Sequence, residues 1–305
     1  MDISLVVPIY NEELLINSLL DETTSSLNKI SEDFEIICVD DGSRDSSLEK
    51  ILAYRKKDSR VKVVILSRNF GHQAAYTAGL SYAKGNFIGM MDGDLQDPPA
   101  LFSKMYDMLQ TKNFDVVFGH REARKEKFMK RMLILLFHKI FSRLSNINAP
   151  ADVGNFSMMT RGALKAFLSL QEKNRYLPGL RYFIGFRQGF VEYKRSDREI
   201  GEAKMNFTKL FKLALDAIFS FSKIPIRLCW IIGLIGILFS IGGSAVVLYK
   251  KMTGDAISGW TSVLTSMYFL GSVQLFFLGI IGEYIHRIFV ETQNRPIFIV
   301  REFVD

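Results

Sequence analysis

Two stretches near the end of the chain restrict its architecture more than any other feature. Residues 228–249 form a run of 22 without a charged side chain, and residues 259–282 form a run of 24. As α-helices, at about 1.5 Å rise per residue, each exceeds the roughly 30 Å hydrocarbon core of a bilayer. Helices of this length in a soluble core keep a polar stripe, and neither run has one. The nine residues between them, 250–258, read as a loop, so the pair predicts a two-helix transmembrane hairpin.

Basic flanks bear on orientation. Lys223 and Arg227 precede the hairpin, Arg287, Arg295 and Arg301 follow it, and Lys250 and Lys251 lie in its loop. The opening MDISLVVPIY reads as a strand, with no basic leader and no cleavage site. Both termini and the large N-terminal region are therefore expected on the cytoplasmic side of the inner (cytoplasmic) membrane, in a multi-pass protein.

The net charge of +7 is unevenly spread. Residues 1–120 carry 12 basic and 18 acidic side chains, whereas residues 121–227 carry 22 and 9. A basic middle predicts a surface that meets phosphate, in nucleic acid or in anionic lipid. The hairpin favours lipid, and no nucleic-acid recognition module interleaves the basic residues, so nucleic acid is not expected as a partner. Cys38 and Cys229 are far apart and make no disulfide framework, which fits a reducing compartment. The four histidines show no zinc-binding spacing.

Across the first 120 residues, apolar runs at 3–9, 35–40, 61–67, 87–91 and 115–119 predict strands. Amphipathic stretches at 12–27, 45–55, 72–83 and 99–109 predict helices between them. This alternation predicts an α/β fold with a mainly parallel sheet, whose ligands bind beyond the carboxyl ends of the strands. Those ends are all polar: Pro8-Ile9-Tyr10-Asn11-Glu12, Asp40-Asp41-Gly42-Ser43, Ser67-Arg68-Asn69-Phe70-Gly71 and Asp92-Gly93-Asp94-Leu95-Gln96. Neither GxGxxG nor GxxxxGK[ST] is present, which argues against a dinucleotide-binding or P-loop module. Asp92 and Asp94, at the tip of a buried strand, can offer hard oxygens to Mg²⁺ or Mn²⁺. Taken alone, the pair reads more readily as an acidic turn, and Asp40-Asp41 is a weaker signal still, an ordinary turn and helix-cap sequence.

In combination these strand ends carry a resemblance. VVPIYNEE (6–13), VDDGSRD (39–45), SRNFGHQAAYTAG (67–79) and MDGDLQDPP (91–99) resemble the inverting family 2 glycosyltransferases of GT-A fold. More narrowly, the chain resembles the polyisoprenyl-phosphate glycosyltransferases, the bactoprenol glucosyltransferases and dolichol-phosphate mannose synthases among them. The likeness continues through 152–156, 198–204, SFSKIPIRL at 220–228 and GEYIHRIFVETQNRP at 282–296. It implies a Rossmann-like GT-A catalytic domain at 1–205, an amphipathic juxtamembrane helix at 206–227, the hairpin at 228–282 and a cytoplasmic tail at 283–305.

By position, the resemblance implies that Pro8, Tyr10, Asn11, Glu12, Asp40 and Asp41 line a nucleotide-sugar pocket. Asp92, Asp94 and Gln96 would hold the metal and the diphosphate. Arg121, Arg198 and Lys204 would bind the acceptor phosphate, and Asp152 would orient the acceptor or act as a weak base. Asp94, Asp152, Arg198 and Lys204 form the implied catalytic set. The chain departs from the family where Ala203 and Met205 replace a serine and a tyrosine, and where His286 replaces a glycine.

The implied reaction is inverting transfer of a hexose, glucose from UDP-glucose, to undecaprenyl (polyprenyl) phosphate. Another donor (GDP-mannose, UDP-N-acetylhexosamine or a modified pentose) is the alternative, and an inactive membrane scaffold is the non-enzymatic one. Helical spacing of apolar residues at 207–221, and a basic, apolar stretch at 128–144, predict interfacial helices on the lipid bilayer. Gly233, Gly236, Gly242 and Gly243 in the first run would allow close helix contact, compatible with a homo-oligomer.

Overall fold

The computed structural model describes residues 1–121, 153–173, 175–193 and 259–305, with scattered positions between 231 and 253. The chain divides into two compact units, one of residues 1–142, 147–207 and 295–305, the other of residues 143–146 and 208–294.

The first unit is built on an eight-stranded sheet. Its first half alternates β1 (Ile3–Ile9), α1 (Ile16–Asn28), β2 (Phe34–Asp40), α2 (Ser47–Arg55), β3 (Val61–Leu66), α3 (His72–Tyr82), β4 (Phe87–Met90), α4 (Leu101–Thr111) and β5 (Val116–Arg121). The described chain resumes with β6 (Val153–Thr160), α5 (Arg161–Ser169), α6 (Leu177–Phe183) and β7 (Gln188–Tyr193), and ends on β8 (Val300–Val304). Every residue of β1, β2 and β3 is buried, as continuous apolar runs must be when helices cover both faces of a parallel sheet. Strand order is β7-β5-β6-β4-β1-β2-β3-β8. Four neighbouring pairs are parallel, and the antiparallel ones involve β6 and β8.

β8 departs from the sequence reading. The end of the expected tail at 283–305 forms a strand that the sequence reading did not anticipate, running antiparallel along β3 with Val63 opposite Val304. The amide of Ser67 donates to Ile299 O at 2.9 Å, and the Asp305 carboxylate meets Lys84 at 3.0 Å and also Lys62. Lys62 in turn neutralises the buried Glu35 at 3.1 Å. A short strand that follows a long apolar run, and whose partner lies in the first quarter of the chain, leaves no local signal.

In the second unit, the later apolar run falls almost wholly within one helix, α7 (Trp260–Thr292). At about 1.5 Å per residue this helix is long enough to cross a bilayer with turns to spare. It outlasts the expected span end at residue 282 and stops at Thr292, just before Asn294 at φ 49° and Pro296. An i,i+4 ion pair, Arg287 to Glu283 at 2.9 Å, supports the polar continuation. Phe269, Leu270, Leu275, Phe276 and Leu278 are exposed along it, a concentration of apolar surface that marks an interaction with something other than water. Among the described residues one stretch, Phe269–Thr292, is long and apolar enough to cross a membrane. The other expected span, 228–249, lies largely outside the described residues, as do the amphipathic segments at 128–144 and 206–227.

Candidate active site

The site starts from a gap in the sheet. β1 sits between β2 and β4, where the strand order reverses, so the carboxyl end of β1 is a topological switch point. Val6 O accepts from Met91 N at 3.2 Å, whereas Ile9 O accepts from Asp41 N at 2.9 Å. Even-numbered residues of β1 therefore face β4. Pro8, which has no N–H to donate, falls where β4 has already ended. The two strands part there, and the polar strand ends open around the crevice.

Hydrogen bonds lace these ends together. Asn11, at φ 53°, reaches across to the next loop: its amide donates to Ser43 Oγ at 3.2 Å and its Oδ1 accepts from Arg44 N at 2.8 Å. Glu12 N donates to Ser47 Oγ at 2.9 Å. The loops after β1 and β2 are thus one structure. Asp40 Oδ1 accepts from Ser43 N at 3.2 Å, and Asp41 accepts from Phe70 N at 2.7 Å and Gly71 N at 3.0 Å, tying in the loop after β3. Burial raises the Asp41 pKa, and the two amide donors only partly offset this. Gly42 has a φ of 70°. It lies against the backbone of Arg68 and Asn69, where a Cβ would come within 2.8 Å, so both conformation and space call for glycine.

Asp92 and Asp94 stand at the end of β4. A Cβ on the intervening Gly93 would lie 2.8 Å from Ile9 Cδ1 and 3.0 Å from Pro8 O, so the acidic pair packs directly on the end of β1. Asp92 Oδ1 accepts from Tyr76 Oη at 2.7 Å and lies 3.1 Å from His72 Nε2. Both partners come from the first turns of α3, four residues apart and on one face. Burial opposes charge on His72, but the bond to Asp92 and the nearby Asp41 and Asp94 outweigh it and raise its pKa. Asp94 Oδ1 accepts from Gln96 N at 3.3 Å, across Leu95 at φ 52°.

Of the residues singled out from sequence, the structure brings Pro8, Asn11, Glu12, Asp40, Asp41, Asp92, Asp94 and Gln96 to this edge of the sheet, with Tyr10 beside them on the β1 loop. Arg121, at the end of β5, donates from Nε to Tyr193 Oη at 3.1 Å and lies 3.7 Å from the buried Asp97. Asp152, Arg198 and Lys204 lie outside the described residues.

Sequence reasoning missed His72, Tyr76, Asp97, Asn155, Arg181 and Tyr193. The first two lie in the quoted SRNFGHQAAYTAG run, where i,i+4 polar residues directly after a strand end are a usable signal. Asp97 closes the MDGDLQDPP run and accepts from Tyr193 Oη at 2.5 Å. Arg181, fully buried, is the one charge in the apolar LPGLRYF, an anomaly that periodicity alone could have flagged.

Among the described residues no three His, Cys, Asp or Glu side chains gather closely enough to hold a metal by themselves. Two half-buried carboxylates with one glycine between them nevertheless fit a small hard cation. Mg²⁺ typically takes one or two protein carboxylates and completes its shell with water and substrate phosphates.

Residues 4–168 match the model of glycosyl transferase family 2. The chain is 39% identical over 305 residues to the uncharacterized glycosyltransferase YkcC of Bacillus subtilis (strain 168), covering 98% of this chain and 93% of that one. It is 36% identical over 304 residues to the uncharacterized glycosyltransferase sll0501 of Synechocystis sp. (strain ATCC 27184 / PCC 6803 / Kazusa), covering 99% and 95%. A prophage bactoprenol glucosyl transferase homolog of Escherichia coli (strain K12) is 35% identical over 305 residues, with 99% of both chains covered. With a GT-A sheet whose strand ends converge on an acidic pair, and with full-length relatives of the same family, this chain belongs to glycosyltransferase family 2.

Proposed function

We propose that the chain transfers glucose from UDP-glucose to undecaprenyl (polyprenyl) phosphate at the cytoplasmic face of the inner membrane, with inversion at the anomeric carbon. The products are polyprenyl-phosphate-hexose and UDP. The observation that carries this reading is the acidic pair Asp92/Asp94 at the switch point between β1 and β4, beside the laced loops after β1, β2 and β3. The acceptor class is supported by full-length relatives whose names include bactoprenol glucosyl transferase.

On this reading, Pro8, Tyr10, Asn11, Glu12, Asp40 and Asp41 line the nucleoside pocket. Asp92, Asp94 and Gln96 would hold Mg²⁺ or Mn²⁺ with the diphosphate, and the ion, when bound, neutralises charge on the leaving group. The acceptor is already an anion at neutral pH, so its alignment matters more than proton removal. Arg121, Arg198 and Lys204 supply that alignment by charge-assisted contacts, and Asp152 orients the acceptor. A hairpin at 228–282, its second helix lying in α7, would anchor the domain. Both termini lie on the cytoplasmic side, and a lipid tail stays in the bilayer while its phosphate reaches the site.

The deciding experiment incubates the detergent-solubilised chain with undecaprenyl phosphate and, separately, labelled UDP-glucose, GDP-mannose and UDP-N-acetylglucosamine. Organic-phase label from UDP-glucose alone, abolished by EDTA and restored by Mg²⁺ or Mn²⁺, is the expected result. Transfer from another donor would move the assignment to that sugar, and no transfer from any donor would favour the scaffold.

A further inference from the structure

Arg181 is the largest fully buried side chain among the described residues. Buried guanidinium groups usually face a carboxylate, because an unpaired buried charge is costly. Arg181 instead donates to neutral oxygens: Gly154 O at 2.7 Å, Asn155 O at 2.8 Å, Ser157 Oγ, and Leu177 O at 3.3 Å. Its planar head also lies 5.3 Å from the centre of the Phe118 ring, within reach of a cation–π attraction. Burial pulls its pKa down only to about 10, so it stays charged at neutral pH. Filling this space needs no charge, since a methionine or leucine would occupy it without burying one. Its hydrogen bonds go chiefly to the backbone of one short stretch of β6, and the Asp92 carboxylate attracts its charge without a direct hydrogen bond.

That stretch carries Asn155, which is almost fully buried. Its Nδ2 is 3.5 Å from His72 Nδ1, while Oδ1 has no donor among the described residues, so the His72 contact is what orients the amide. On its other side, His72 Nε2 meets Asp92 Oδ1 at 3.1 Å, the same oxygen that accepts from Tyr76. His72 Nε2–H donates to Asp92 Oδ1, while Nδ1 faces the Asn155 amide.

We propose that Arg181 is a positioning residue: by gripping the Gly154 and Asn155 carbonyls it holds the Asn155 amide against His72, and His72 thereby fixes the Asp92 carboxylate for the diphosphate. The inference rests on Asp92 serving the donor diphosphate as proposed above. None of the three residues need touch the sugar, and each acts through its neighbour.

The test uses the full chain in detergent. Mn²⁺ binding in the presence of UDP is followed by electron paramagnetic resonance, alongside kcat, KM for UDP-glucose and the thermal midpoint. Asn155→Ala and His72→Ala should each weaken Mn²⁺–UDP binding about 10–100-fold, the usual effect of removing a support behind a metal-binding carboxylate. The double variant should be no worse than the poorer single one, because both cut the same chain of contacts. Arg181→Met should show the same loss, and Arg181→Lys should recover part of it. If Arg181→Met fails to fold, Asn155→Ala decides, because it leaves the backbone grip of Arg181 intact. Additive losses, or normal Mn²⁺–UDP binding by Asn155→Ala with only a lowered midpoint, would overturn the relay. Absence of Mn²⁺–UDP binding by the wild-type chain would instead sink the Asp92 assignment on which the relay depends, so the two failures are distinguishable.

Discussion

Gly93→Ala puts the packing of the two strand ends to a direct test. The new Cβ would come 2.8 Å from Ile9 Cδ1, 3.0 Å from Pro8 O and 3.8 Å from Val7 Cγ1. Carbon atoms are comfortable at about 3.5–4.0 Å, so the Ile9 methyl must retreat by about 0.7–1.2 Å. Ile9 can supply that by rotating its terminal bond, but the Pro8 carbonyl belongs to the backbone and moves only with β1. Overpacking of this kind costs about 1–3 kcal/mol, and the partial relief through Ile9 places this case near about 1–2 kcal/mol. The catalytic effect should be larger than the stability effect. Residue 93 lies between the two carboxylates, and a misplacement of about 1 Å can cost on the order of 10² in rate. The assay is transfer from labelled UDP-glucose to undecaprenyl phosphate at saturating donor, with a thermal melt of the same sample. Gly162→Ala in α5 is the control. Its Cβ would meet only Thr160 Oγ1, at 4.0 Å, so it should keep full activity and a midpoint no lower than the wild type. Wild-type turnover and an unchanged midpoint for Gly93→Ala would refute the claim that the acidic pair is set by contact with β1.

Tyr76→Phe removes one donor from Asp92 Oδ1 while keeping the buried ring. About 1–2 kcal/mol of stability and a severalfold loss of Mn²⁺–UDP affinity are expected; unchanged affinity in a titration would count against the contact. Arg198→Ala and Lys204→Ala should each cut transfer on the order of 10²-fold if they clamp the acceptor phosphate, and near wild-type rates for both would reopen where the lipid binds. With Cys229→Ser in the background, Cys38 should resist alkylation at pH 8 in the folded chain and react once it is unfolded in guanidinium, because burial pushes its thiol to about 12. In that background an impermeant thiol reagent added outside intact cells should label Gly254→Cys and spare Arg301→Cys; the reverse pattern would invert the topology. The Arg60 guanidinium hydrogen-bonds Asp58 and holds its folded pKa below the ordinary aspartate value. The stabilisation is therefore present above the unfolded pKa of about 3.9 and lost as the pH falls through the lower folded value. Asp58→Asn should lower the melting temperature at pH 7 and converge with the wild type near pH 2; a constant gap would contradict this.

The parallel half of the sheet was legible because each of its strands is a continuous apolar run with a polar end, and because helices of matching length separate them. β1 fell at Ile3–Ile9 as expected, and the starts of β3 and β4 fell at Val61 and Phe87. β6, β7 and β8 were not anticipated. β6 follows a basic segment in which charge obscures the strand pattern, and it inserts between β4 and β5, so its pairing depends on contacts such as Phe87 opposite Thr160 that no local pattern encodes. The site divides in the same way. Carboxylates at strand ends announce themselves, whereas His72, Asn155 and Arg181 each read as an ordinary helix or strand residue. Asn155 and His72 are 83 positions apart in sequence and meet only when β6 comes alongside β4.

What the sequence showed separately at Pro8 and at Gly93 is one constraint seen from both sides. A proline inside a central strand ordinarily costs a ladder hydrogen bond. Here β4 has ended by that point, so no acceptor is left unsatisfied and the strands are free to diverge. A glycine between two carboxylates ordinarily reads as a loose acidic turn. Here it lets the turn lie directly on the Pro8 carbonyl, so the loop that carries Asp92 and Asp94 is seated on the sheet rather than hanging from it. The crevice is therefore opened by one residue and floored by the other, and Tyr76 and His72 from α3 hold Asp92 from the side. A site assembled this way places its carboxylates before any ligand arrives. On the proposed function, a donor diphosphate would meet positioned oxygens instead of ordering a flexible loop, and the conformational entropy of that ordering would already have been lost in folding.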